Sequence, residues 1–209
     1  MFTMRDLDQT HFDVLKEIGN IGAGHAATAL SQLVAEKIEM TVPDVSIIPL
    51  TDASNVFGGS ENEVVGIYMR VFGDAPGKIV FLFSVPEAKT LVDRIARRPI
   101  GTTKEFLEYE QSALKEIGNI MTGAYLHALT RLTGLQQISS VPFFACDMVG
   151  AIVNTALIDL GIIGDYALMI KTQFSLTDRQ INGHFFLIPD PGSLEIILRA
   201  LGVGTAWQK

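Results

Sequence analysis

Seven consecutive residues, Leu15 to Ile21 (LKEIGNI), recur unchanged at Leu114 to Ile120, 99 positions further along the chain. Without a gap, Gly24 then matches Gly123, Ala29 matches Ala128, Leu30 and Leu33 match Leu129 and Leu132, and Val42-Pro43 match Val141-Pro142. The windows 13–43 and 112–142 share 13 of 31 positions, where composition alone would give roughly two. A repeat of this kind constrains architecture before any local propensity does, because two similar segments fold into two similar units. The 209 residues are therefore expected to form a single domain, 1–209, built of two repeats at about 10–98 and 104–204, each carrying one Glu-x-x-Asn helix.

Each repeat opens on a helix. Thr10-His11-Phe12-Asp13 and Thr102-Thr103-Lys104-Glu105 both offer a hydroxyl cap with an acid three residues on. The first helix is read to about Ala35, and the second from about Glu105 to Gly134, a terminal glycine. After each helix the apolar period changes to two. Ile38, Met40 and Val42 alternate with polar neighbours, and Glu63–Phe72 and Lys78–Val85 read as strands, with a helix over Pro86–Arg97. In the second repeat, strands are expected near Leu135–Val141, Asp165–Ser175 and Ile181–Ile188, with a closing helix from Ser193 to about Leu201. Between Pro142 and Asp165 the apolar residues fall at helical spacing, which predicts an extra helix where the first repeat has the turn-like TDASNVFGGSEN. The fold class is α+β: a pseudo-two-fold duplication whose mainly antiparallel sheet, of about six strands, is covered by long helices.

Composition narrows the functional classes. Hydrophobic residues make up 48% of the chain and charged residues 19%, ample material for a core. A formal charge of −7 disfavours attraction to phosphate backbones or anionic lipid, so no nucleic-acid partner and no membrane insertion are expected. The first residues carry Asp6, Asp8 and Asp13 where an export signal needs a basic flank and an apolar run. The single cysteine, Cys146, has no internal disulfide partner, which points to a reducing, cytoplasmic setting.

On a helical projection Asp13, Glu17, Asn20 and Gly24 fall within an arc of about 60°, and Ser112, Glu116, Asn119 and Gly123 fall on the same arc of the second helix. The apolar residues lie on another side, so the stripe looks outward or obliquely sideways. Its chemistry is poor for helix stability. Asn costs several tenths of a kcal/mol in a helix interior and Gly about 1 kcal/mol, while Asp13 and Glu17 set like charges one turn apart. Such penalties repeated at equivalent positions ask for a packing or functional reason. A neutral carboxamide is neither a base nor a ready nucleophile, but it can orient a water, the part such a group plays in phosphoryl hydrolysis. An exposed Glu one turn away is suited to gripping a cation on a partner, and the glycine leaves room for that partner's backbone.

These residues resemble a known family. Asp13-x3-Glu17-x2-Asn20-x22-Pro43 and Ser112-x3-Glu116-x2-Asn119-x22-Pro142 both fit the [Asp/Ser]-x3-Glu-x2-Asn-x22-Pro signature of the CheC/CheX/FliY phosphatases of bacterial chemotaxis. The resemblance extends over essentially the whole chain, and two intact motifs are most similar to the CheC branch. It implies an aspartyl-phosphate phosphatase that dephosphorylates the response regulator CheY-P. In that reading Glu17 and Glu116 pair with the regulator's active-site lysine, and Asn20 and Asn119 align the hydrolytic water. The Mg2+ ion belongs to the regulator, and the chain has no cofactor and no metal site of its own. Asp13 and Ser112 frame the glutamates. The resemblance also implies a second partner, the receptor deamidase CheD, bound through the segment around Asp147 and Met148. Pro43 and Pro142 are read independently as structural, ending a strand or turn. Two sites in one chain favour a monomer.

The remaining signals are weak. Gly19-Asn20-Ile21-Gly22-Ala23-Gly24 lacks the preceding strand and the Lys-Ser/Thr of a phosphate loop. His11, His25, His127 and His184 are scattered, and Cys146 reads as a small buried hydrophobe. The rival functional reading is a non-catalytic adaptor whose stripes dock CheY, CheD or the flagellar switch without accelerating hydrolysis.

Overall fold

The computed structural model describes residues 7–158, 166–176 and 180–203. Helix α1 (Gln9–Val34) leads into strand β1 (Glu39–Pro49), a 3-10 helix (Leu50–Phe57), β2 (Glu63–Gly73), β3 (Gly77–Ser84) and α2 (Val85–Ile95). The second repeat runs α3 (Glu108–Thr133), β4 (Gln137–Ser139), β5 (Phe143–Met148), α4 (Val149–Ile158), β6 (Tyr166–Ser175), β7 (Gln180–Pro189) and α5 (Ser193–Ala200).

The helix termini differ from the hydroxyl caps read in the sequence. Asp8, not Thr10, caps α1: its Oδ1 accepts from the His11 backbone N–H at 3.2 Å, and the His11 ring closes a reciprocal box onto the Asp8 N–H. In the second repeat α3 starts after Leu107 with no side-chain cap. Thr102, read as the cap there, donates instead from Oγ1 to the Pro99 carbonyl at 2.6 Å. Thr103 is engaged with α2. It donates from both N–H and Oγ1 to Oδ1 of Asp93, whose Oδ2 accepts from Gly101 and Thr102. That fully buried carboxylate ties the joint between the repeats to α2. The C-terminal readings hold closer: α1 stops at Ala35 (φ 55°) and α3 at Gly134 (φ 76°).

All strand pairs are antiparallel, in the order β1-β6-β7-β3-β2-β4, with β5 following β4 along the same edge of β2. The order is mirrored about the central β7–β3 pair. With the 99-residue offset, β1 corresponds to β4 and β5 taken together, split at Ser140–Pro142; this split makes seven strands where about six are expected. The repeats also interlock. First-repeat β1 pairs with second-repeat β6, and second-repeat β4 and β5 pair with first-repeat β2.

Alternation along the strands divides the apolar side chains between two layers. Val65, Ile67, Met69 and Val71 of β2 face a large core shared with Leu15, Ile18, Leu114 and Ile117 of the two long helices. Val64, Val80, Leu82, Met169 and Phe186 face a smaller cluster joined by Val149, with Phe57 and Ile152 packed against it. The 3-10 helix and α4 thus cover the second face at equivalent places. The extra helix predicted over Pro142–Asp165 is corrected accordingly: Phe143–Met148 is a strand, the helix is Val149–Ile158, and 159–165 lie outside the described residues. The first repeat's turn-like segment is its 3-10 counterpart.

Candidate functional site: two Glu-Asn stripes

The repeated Glu-Ile-Gly-Asn places one small residue between the two polar ones, and the glycine settles which way they look. A Cβ on Gly118 would stand 2.6 Å from Ile67 Cγ2, and one on Gly19 3.2 Å from Val42 Cγ2. Each helix therefore presses its glycine onto the sheet, beside Ile18 and Ile117, which are fully buried. Glu17 and Glu116, on the opposite side of each turn, are exposed, as are Asp13 and Ser112. Neither glutamate forms an ion pair among the described residues. Gly24 and Gly123, one turn beyond the asparagines, are open: a Cβ there meets nothing within 4 Å. The stripe read from the projection recurs, with both glutamates and both outer glycines exposed.

The two asparagines sit differently. Asn119 is exposed and forms no hydrogen bond among the described residues. Asn20 is partly buried, and its Oδ1 accepts from the backbone N–H of Val42 at 3.0 Å. Lys16, one turn before, donates from Nζ to the Pro43 carbonyl at 2.8 Å. Pro43 stands in the irregularity of β1 between Thr41 and Asp44, a place that does not need its missing N–H. These two bonds give the x22 spacing between Asn and Pro a physical meaning in the first repeat, which the sequence did not disclose. In the second repeat Pro142 lies in the break between β4 and β5, and Val141 is 85% exposed where Val42 is 3%. Ser140 there is held to β2 by exchange with Arg70: its N–H donates to Arg70 O at 2.7 Å, and its Oγ accepts from Arg70 N at 3.0 Å.

Other candidates fall outside the stripes. Asp147 and Met148 are exposed at the end of edge strand β5, not on a helix, and Asp147 Oδ1 accepts from the Met148 N–H at 2.7 Å. Cys146, read as buried, is exposed on the same strand; desolvation and the negative charge of Glu63 push its thiol up, away from the thiolate. The histidines are less scattered than the sequence suggests. His25 and His127 bring their rings to 6.0 Å across α1 and α3, and His184 packs edge-on against Phe57. No group of three or more His, Cys, Asp or Glu side chains that could hold a metal occurs among the described residues. No helix among them is long and apolar enough to cross a membrane.

Each stripe thus offers an exposed carboxylate one turn from a carboxamide on the outer side of a helix. Such a surface acts on something brought to it. Comparison with known proteins points the same way. The CheC-like family matches residues 11–47 and 110–144, which bracket the two stripes and their prolines. The chain is 35% identical over 206 residues to the CheY-P phosphatase CheC of Bacillus subtilis, covering 97% of this chain and 99% of that one. Its fold is similar to the crystal structure of Thermotoga maritima FliY, with a TM-score of 0.77 at 19% identity over 96% of this chain and all of the other. It is also similar, with a TM-score of 0.51 at 15% identity over 80% of this chain and 94% of that one, to a chain in the CheX–CheY–BeF3–Mg2+ complex of Borrelia burgdorferi.

Proposed function

The chain belongs to the CheC-like family, and on that premise we propose that it is an aspartyl-phosphate phosphatase that dephosphorylates the chemotaxis response regulator CheY-P. The reaction is in-line attack of water on phosphorus, with the regulator's aspartate carboxylate as leaving group. That carboxylate is a weak base, so no general acid is needed on this chain. The regulator carries its own Mg2+, which neutralises charge on the phosphoryl oxygens.

What this chain adds is position. A stripe asparagine enters the regulator's site, its carbonyl accepts a hydrogen bond from the water, and the water's lone pair is aimed at phosphorus. The stripe glutamate pairs with the regulator's lysine and fixes the register of docking, while Asp13 or Ser112 frames it. The open glycine after the asparagine admits the partner's backbone. A hundredfold acceleration requires only about 2.7 kcal/mol of transition-state stabilisation, within reach of one well-placed amide.

The observation that carries this reading is the doubled stripe: an exposed Glu one turn from an Asn, beside a glycine with nothing within 4 Å. The receptor deamidase CheD is a second proposed partner, with Asp147 and Met148 accessible on β5. The protein is proposed to act as a cytoplasmic monomer. The test is the lifetime of phosphorylated regulator with sub-stoichiometric protein. Phosphate loss is expected to quicken in proportion to the protein added, with many turnovers per molecule. An unchanged lifetime, or an effect that stops at one turnover, would leave only the docking role.

A further inference from the structure

The two stripes repeat in sequence but not in their surroundings. Asn20 accepts from the Val42 N–H, Lys16 holds the Pro43 carbonyl, and the Val42 side chain lies against Gly19. Of these contacts none has its counterpart in the second repeat among the described residues: Asn119 and Lys115 bond nothing, and Gly118 meets Ile67 but not Val141. The strand edges differ in the same sense. Glu39 is paired with Lys37 and Asp44 with Lys171, whereas their counterparts Ile138 and Phe143 stand 69% and 64% exposed.

A water-aligning amide needs its oxygen available for a water proton and its N–H groups free for phosphoryl oxygens. Asn119 has both ends unoccupied. Asn20 has its oxygen committed to a backbone donor, and freeing it would leave the N–H of a buried residue without an acceptor, a cost of about 1–3 kcal/mol. Docking at the first stripe therefore works against the fold, and docking at the second does not.

We propose that the repeats have divided the work: Glu116 and Asn119 carry the hydrolysis, while Asn20, helped by Lys16, serves chiefly as the clamp that seats edge strand β1 on α1. This rests on the phosphatase reading above and names which copy of the site performs it.

The test compares three variants of the full chain, Asn119→Ala, Asn20→Ala and Asn20→Asp, with phosphorylated regulator as substrate. Asn119→Ala is expected to slow turnover about tenfold or more beyond the effect of Asn20→Ala. Asn20→Ala lowers the melting midpoint and opens residues 40–44 to hydrogen exchange. Asn20→Asp, which still presents an oxygen to Val42, restores most of that protection, and Asn119→Ala leaves it untouched. In the unmodified protein the Val42 amide exchanges more slowly than the Val141 amide. Equal losses of rate for the two alanines, or protection at 40–44 indifferent to Asn20, would overturn the division while leaving the phosphatase reading standing. No loss of rate in either variant would overturn both.

Discussion

Gly118 lies so close to Ile67 that a Cβ on the glycine would stand 2.6 Å from the isoleucine Cγ2, while Gly123, five residues along the same helix, would place a Cβ in open space. The first glycine exists for packing and the second for what docks outside. Gly118→Ala is expected to lose about 1–3 kcal/mol, because the methyl must push Ile67 within a filled core. Gly123→Ala is expected to gain up to about 1 kcal/mol, the helix preference for alanine, and yet to slow hydrolysis, because the methyl stands on the docking face. Thermal melts and turnover with phosphorylated regulator, run on both variants, should therefore move in opposite directions for Gly123. Unchanged turnover in Gly123→Ala would remove the stripe's fourth position from the docking surface.

Asp93 offers a prediction about acid. Burial pushes its carboxyl up, but the hydrogen bonds from Thr103, Gly101 and Thr102 outweigh that and hold it below the ordinary carboxylate range. A group depressed in the folded state stabilises fully above its unfolded pKa, and that contribution fades as pH falls below about 4 toward the folded value. Asp93→Asn turns an amide N–H2 toward backbone donors and is expected to cost about 3 kcal/mol at neutral pH. Urea melts between pH 3 and 7 should show that gap narrowing at the acid end. A constant gap would mean the carboxylate charge is not what holds the joint.

Much of this architecture was legible before any coordinates. The duplicated LKEIGNI fixed two equivalent helices, and strand boundaries such as Glu63–Gly73 and Tyr166–Ser175 fall within a residue of the alternation read for them. The failures share a cause, namely partners far away in sequence. β1 runs to Pro49, well past Val42, because β6 of the other repeat supplies its ladder, and FFACDM is a strand because β2 has a free edge. Thr102 looked like a helix cap because its real partners, the Pro99 carbonyl and the Asp93 carboxylate nine residues earlier, are not visible in the spacing. The Glu-x-x-Asn stripe was readable from spacing alone. The inequality of its two copies was not, since Val42 and Val141 are the same residue in the same motif.

Reversing one charge tests the proposed grip on the regulator. Glu116 is exposed and has no ion pair within the chain among the described residues, so Glu116→Lys should leave the melting midpoint nearly unchanged. Against a lysine on the partner it should raise the half-saturating regulator concentration by about tenfold, an effect that added salt shrinks. Glu116→Gln should fall between. Equal half-saturation for all three would rule out a lysine contact at this position.

The central claim concerns a carboxamide steering a water, and the most direct measurement separates binding from hydrolysis in one protein. Asn20→Ala combined with Asn119→Ala removes both amides while leaving both glutamates to dock. The account predicts that this variant still binds regulator loaded with beryllofluoride at near-normal affinity, while phosphate loss returns to the regulator's spontaneous rate. Hydrolysis as fast as with the unmodified protein would contradict it.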